Sequence, residues 1–229
     1  MNTMPDSMAP TKWGRFIETG LNTRIIGRPI LSYDHVTSTN DVIKDFAVRN
    51  APEGTTVLAH VQSKGRGRRG RAWASVPGKG IYMSVLLRPG IPGTDAGWLA
   101  VLGGVAVIRA LEQFDLRKLT LKWPNDVLAG GRKIAGILIE PRIGAGQIEF
   151  AVVGIGVNVR QKAEDWTDAL KQTATSCHME GVRVRCEPVI RAVLSELDFW
   201  YLLLKQCKTE RLMEEWVQRG GKVGIPVIE

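Results

Sequence analysis

Residues Leu119–Glu140 read LTLKWPNDVLAGGRKIAGILIE. Three short apolar runs, Leu119–Trp123, Val127–Ala129 and Ile134–Glu140, are too brief for helices and predict three strands. Pro124 cannot continue a helix or donate to a central ladder, so it holds the preceding run extended and then breaks it. Gly130-Gly131 marks a hairpin. Asn125 and Asp126 are left at a strand end, where functional side chains tend to gather.

Working outward, Ile148–Val159 reads as a further strand, as do Thr55–Gln62 and Ile81–Leu87 upstream. Helical spacing covers Asp95–Phe114, with Gly93-Thr94-Asp95 as its start signal. It returns over Cys186–Leu204, where Ile190, Val193, Leu194 and Leu197 form one stripe, and over Thr209–Arg219. An earlier helix follows Ser38-Thr39-Asn40-Asp41, whose side chains are expected to cap its first turn, and Asn50-Ala51-Pro52 stops it. Helices at both ends of a run of adjacent strands predict an α+β fold rather than strict βαβ alternation.

At 229 residues and 44% hydrophobic, the chain can bury the core of one large domain, or of a domain plus a fragment. Its longest apolar segment, Ala96–Leu111, is interrupted by Gly97, Gly103, Gly104 and Arg109 and reads as a buried helix, not a membrane span. The opening MNTMPDSMAPTKWGRF lacks the apolar core of a secretory signal, so a cytoplasmic location is the default expectation. Cys177, Cys186 and Cys207 are too far apart for a CxxC pair, and no His–Cys cluster has zinc spacing. They are expected as reduced, buried, structural thiols.

The net charge is +8, and Lys64–Arg71, KGRGRRGR, carries five of the cations; without them it would be +3. That concentration favours a local anion site over a long nucleic-acid track. Gly65–Gly70 matches G-x-G-x-x-G literally, but Pro77, Gly78 and Gly80 follow where a dinucleotide site needs a helix. A phosphate loop needs Lys-Ser/Thr where Arg71-Ala72 stands. What remains is a loop whose glycines let backbone N–H groups converge on an anion, while its arginines present planar charged forks. Repulsion among like charges suits a lid that orders over an anionic intermediate.

Taken together, Thr37-Ser38-Thr39-Asn40, Gln62-x-x-Gly-Arg-Gly-Arg-Arg-Gly70, KWPND, RKIAGIL and Gly154-Ile-Gly-Val-Asn158 resemble the biotin protein ligases over roughly residues 30–160. The resemblance implies a mixed β-sheet with flanking helices, like the class II aminoacyl-tRNA synthetase core. It implies an ATP-dependent enzyme that makes biotinyl-5′-AMP, then transfers biotin to a lysine of a biotin carboxyl carrier protein of an acetyl-CoA carboxylase. The cofactors and substrates implied are biotin, ATP and Mg²⁺.

By the same resemblance Ser38, Thr39, Asn40 and Gln62 would bind biotin, with the backbone at Gly65 and Arg66 completing the contact and Gly136 and Leu138 walling the ring. Arg68, Arg71, Trp73, Asn125, Lys133, Gly154 and Asn158 would bind ATP. The catalytic set would be Lys133, Arg68, Lys122 and Asp126, with Asp126 as metal ligand. Gly154 and Gly156 are expected to lack side chains because the nucleotide approaches them. Strict alternation would set Lys133 on the face opposite Leu138, so either a bulge intervenes or the lysine reaches in from the turn.

The expected organisation is a tail at 1–12, a catalytic domain at 13–219, and at 220–229 the first strand of a truncated or missing SH3-like module. About 36 residues precede the Thr37–Asn40 motif, too few for the N-terminal DNA-binding domain of many family members, so no DNA binding and no membrane association is expected. A homodimer would be in keeping with the family. The alternatives are a lipoate or octanoate ligase of the same fold and a non-catalytic nucleic-acid binder.

Overall fold

The computed structural model describes residues 11–220. Among them the strands are β1 (Ile30–Val36), β2 (Thr56–Gln62), β3 (Gly80–Leu87), β4 (Leu119–Lys122), β5 (Asp126–Ala129), β6 (Arg132–Gly144) and β7 (Gln147–Asn158). They form one sheet in the order β1-β2-β3-β7-β6-β5-β4. β1 and β2 run parallel, joined through helix α2 (Thr39–Val48), and the other neighbours are antiparallel. The fold is therefore the α+β, class II synthetase-like mixed sheet that the motifs imply.

The two faces of the sheet are treated differently. The short α4 (Asp168–Thr173) borders a cleft, and helices α1 (Lys12–Thr19), α3 (Gly97–Glu112), α5 (Cys186–Lys205) and α6 (Glu210–Gln218) pack on one face. Their Ile17, Leu102, Val193 and Leu212 share a core with Val85, Ile137 and Ile155 of the strands. Fully burying each such side chain contributes about 1.5–3 kcal/mol. The segment ending in α3, Gly93–Glu112, is long and apolar enough to cross a membrane by length and composition, yet most of it is buried inside this fold. Gly103 and Gly104 let it sit close, because a Cβ there would press on Ile137 and Leu121.

On the opposite face α2 lies over a smaller cluster in which Val42, Ile43 and Ala47 meet Val57, Leu86 and Val152. It covers one half of that face. Over the other half β6 and β7 present Gly136, Leu138, Gly154 and Gly156, where a cleft opens.

Several expectations need correction. Helix α1 and strand β1 were not anticipated: KWGRFIET is short, and ILSYDHV breaks its alternation at the exposed pair Asp34-His35. Lys12 belongs to α1 rather than to a tail, and Thr11 N–H donates to the Ser32 carbonyl at 2.6 Å. The start of α2 is not capped by its own side chains; Gln62 Oε1 accepts from the Thr39 N–H at 2.8 Å instead. Cys207 is exposed, whereas burial pushes the Cys177 thiol up to about 12 and Cys186 to about 11. The expected strand at 220–229 and most of the expected tail lie outside the described residues.

Candidate active site

The cleft has a volume of about 660 Å³. Its walls are the start of α2, the end of β2, the loop at 66–74, the KWPND turn, β6, β7 and the segment 166–174. Every site residue anticipated from the sequence lines it except Gly65. Gly65 is buried behind it, accepting from Trp73 N–H at 2.9 Å; a Cβ there would meet the Trp73 carbonyl at 2.9 Å and Gln62 Nε2 at 3.0 Å.

One end of the cleft is a network of hydroxyl and amide side chains backed by a Glu140–Lys44 ion pair. Thr39 donates to Gln62 Oε1 from its backbone and, at 3.1 Å, from its hydroxyl. Ser84 Oγ donates to Asn40 Oδ1 at 2.5 Å and lies 2.7 Å from Thr39 Oγ1. Asn40 Nδ2 donates to Glu140 Oε2, and Lys44 Nζ donates to Glu140 Oε1 at 2.6 Å. With both ends of the Asn40 amide satisfied, its orientation is fixed. Ser84 and Glu140 were missed by sequence reasoning, because they sit in strands that read as ordinary packing.

The other end is cationic. Arg66 grips Asp41 with two bonds of 2.6 Å and lies 3.8 Å from Glu140 Oε2. The hydrogen bond from Arg66, more than the added Coulomb attraction, holds the Asp41 carboxyl below its ordinary value despite partial burial. Arg66, Arg68, Arg69 and Arg71 all line the cleft, and Arg66 does so paired with Asp41. The loop is shaped by Gly67 N–H donating to the Arg71 carbonyl at 2.7 Å and by a left-handed Arg69 at φ 54°.

Across the cleft the placement of Lys133 depends on a bulge. In the β5–β6 ladder Val127 pairs with Ala135 but Leu128 with Lys133, so Ile134 is the extra residue. Ile134 and Ala135 consequently both enter the core, and Lys133 turns to the cleft face with Gly136 and Leu138. Its ammonium stands 2.7 Å from Asp126 Oδ1 and 5.3 Å from the centre of the Trp73 ring.

The space over the glycines of this floor is bordered by the protein's own side chains. Gly136 and Gly156 pair across β6 and β7, and the Trp73 indole lies on both: a Cβ on Gly156 would stand 2.5 Å from the ring. Gly154 makes room for the Asn40 carboxamide. The close approach these glycines permit is made by the protein's own side chains in this structure.

Asn125 anchors the KWPND turn, giving Nδ2–H to the Ile137 carbonyl at 2.9 Å and accepting from Ile137 N–H at 2.8 Å through its own carbonyl. Asn158 donates to the Thr175 carbonyl at 3.0 Å and accepts from Gln161 at 3.3 Å. Lys122 is exposed at the rim. Trp166, Leu170 and Ala174 close the far wall, and no motif announced them. Among the described residues no group of three His, Cys, Asp or Glu side chains could hold a metal ion. Asp126 is the hard-oxygen candidate in the cleft, and it is already shared with Lys133.

Comparison with known proteins gives consistent results. The model of the biotin/lipoate A/B protein ligase family matches residues 33–158. The bifunctional ligase/repressor BirA of Bacillus subtilis is 41% identical over 179 residues, which is 78% of this chain and 55% of that protein. The biotin–acetyl-CoA-carboxylase ligase of Paracoccus denitrificans is 32% identical over 178 residues, covering 75% of this chain and 73% of that one. The structure of biotin protein ligase from Aquifex aeolicus in complex with biotin and ATP superposes with a TM-score of 0.72 at 29% identity, covering 84% of this chain and 78% of that chain. The chain thus spans about half the length of the BirA relatives.

Proposed function

Because the chain belongs to the biotin/lipoate A/B protein ligase family, we propose that it activates biotin with ATP and transfers it to a lysine of a biotin carboxyl carrier domain. The observation that carries this reading is the division of one cleft into an end of hydroxyl and amide groups and an end lined by arginines and lysines, with Lys133 turned into it by the β6 bulge. Ser38, Thr39 and Gln62 suit an uncharged cyclic urea. Arg68, Arg71, Lys122 and Lys133 suit a carboxylate and a nucleotide phosphate.

In the first step a biotin carboxylate oxygen attacks the α-phosphorus of ATP, the bond to the β-phosphate oxygen breaks, and pyrophosphate leaves. Two unit charges 4 Å apart at an effective dielectric of 20 repel by about 4 kcal/mol, so cations at the junction are what the step requires. Lys133 and Arg68 would offset the charge that builds there, and the protein contributes positioning and electrostatics without a nucleophile of its own. In the second step the carrier lysine amine attacks the acyl carbon and AMP leaves. The arginine loop would keep water from the mixed anhydride in between.

Magnesium is expected to travel with the triphosphate and to supply charge neutralisation there. Asp126, the carboxylate of the cleft lining, would help to hold it.

The test is exchange of labelled pyrophosphate into ATP. Exchange that depends on biotin, and not on lipoate or octanoate, is the expected result. Exchange supported by lipoate instead, or steeply salt-dependent DNA binding without any exchange, would overturn the reading.

A further inference from the structure

Behind the cleft, β3 carries a side chain with no place in the chemistry above. Tyr82 is 1% exposed, and its hydroxyl reaches the downstream base of the arginine loop. Val76 N–H donates to that hydroxyl at 2.7 Å, and the hydroxyl donates to the Val76 carbonyl at 3.0 Å. Beside it Ser75 Oγ accepts from the Gln62 backbone N–H at 2.8 Å. The fully buried Gln161 flanks the other side and donates to Asn158 Oδ1 at 3.3 Å. A Cβ on Gly80 would lie 2.7 Å from both the Tyr82 hydroxyl and Gln161 Nε2, so that glycine lets the two groups close together. Burial raises the Tyr82 phenol above its ordinary value, with hydrogen bonds from Ser75, Val76 and Gln161 partly offsetting it.

A buried hydroxyl is costly unless bonded, and phenylalanine would fill the same space without that demand. Here the hydroxyl satisfies both polar groups of one residue that lies outside any strand. The upstream end of the loop is held independently, by Lys64 N–H donating to the Thr37 carbonyl at 2.8 Å.

We propose that Tyr82 is a positioning residue: it fixes Ser75 and Val76, and so sets where Trp73 and the arginines of the loop hang over the cleft. Through Ser75 the same cluster reaches Gln62 and the hydroxyl end of the cleft; through Gln161 it reaches Asn158. The catalytic consequence rests on the ligase reading, and the structural claim does not.

Limited digestion with trypsin tests both, since the loop carries its cleavable residues between Lys64 and Arg71. Tyr82→Phe should speed cutting within 64–71 by roughly fivefold or more, and Ser75→Ala by about twofold, because cutting follows the population of the opened loop. Ser75→Thr, which keeps the hydroxyl, should cut like wild type. If Tyr82→Phe does not fold, the Ser75 pair alone decides. Loop cleavage equal to wild type, or an equal rise at every other site, would overturn the proposal. In single-turnover reactions Tyr82→Phe should also release biotinyl-AMP several times faster while forming it within about twofold of the wild-type rate; slower formation with unchanged release would contradict it. Should the wild-type protein support no exchange with biotin, the ligase reading falls, and the digestion still decides whether Tyr82 holds the loop.

Discussion

Lys133 stands on a strand paired on both sides, its ammonium 2.7 Å from Asp126. The arginines facing it stand on a turn, held by backbone bonds at Gly65–Trp73 and Gly67–Arg71 and by the Arg66–Asp41 pair. The same charge is thus delivered once from a sheet strand and once from a turn outside the sheet, held at its two ends and by the Arg66–Asp41 pair. Rigid delivery suits a group that must meet the reacting phosphate at a fixed distance; a hinged segment suits one that must admit substrates and then cover the product. On the function proposed above, formation of the adenylate would fall to the β6 side and its retention to the loop.

The sharpest break in this comparison is Lys133→Ala. Exchange of pyrophosphate into ATP should fall by about 10²–10³-fold, the size expected for losing one preorganised charge at the reacting centre. Its thermal unfolding should stay close to wild type, since the ammonium is partly exposed. Near-normal exchange would remove Lys133 from the mechanism.

Asp126→Asn comes next. The lysine would lose the carboxylate that orients it, and a misplacement of about 1 Å can cost up to about 100-fold. The loss should appear in kcat more than in KM for biotin. A change confined to KM would mean that Asp126 acts on binding instead.

On the loop side Arg68→Gly should speed loss of the adenylate by roughly 10–100-fold, as for removal of a hydrogen bond from a charged group worth about 1.5–3 kcal/mol. Stray biotinylation of nearby lysines should increase with it. Unchanged release would remove the lid role from the loop.

The smallest effect belongs to Asp41→Asn, which loosens Arg66. An exposed pair is worth about 0.2–1 kcal/mol, so loop cleavage should rise by no more than about fivefold. The sign with pH follows from the lowered Asp41 carboxyl. Its contribution is present above the ordinary carboxylate value and is lost as pH falls through the lowered one. Wild type and variant should therefore differ in stability at pH 7 and converge only once the pH falls below that lowered value.

Much of the site could be read in the sequence because it lies in strings whose chemistry is local. Pro124 had to break a strand, Gly130-Gly131 had to turn, and five cations in eight residues had to face an anion or solvent. The bulge at Ile134 was one of two readings left open by alternation; two consecutive core residues, Ile134 and Ala135, decide it. What stayed hidden depends on long-range contact. Ser84 and Glu140 join the polar end only because β3 passes beneath α2 and the Glu140 side chain reaches Asn40 from β6, and Trp166 to Ala174 close the wall only after the chain returns to pair Ala174 with Lys133. The contact of the Trp73 ring with the floor glycines is hidden for the same reason. Nothing local shows that a Trp73 ring will lie on Gly136 and Gly156.

The most direct test follows one turnover by rapid quenching and reads two rates in the same experiment, formation of biotinyl-AMP and its escape to solution, for Lys133→Ala and Arg68→Gly beside wild type. The account predicts that Lys133→Ala slows formation and leaves escape of whatever forms unchanged, whereas Arg68→Gly hastens escape and slows formation far less. If both variants slow formation equally and neither alters escape, the division of labour between strand and loop is wrong.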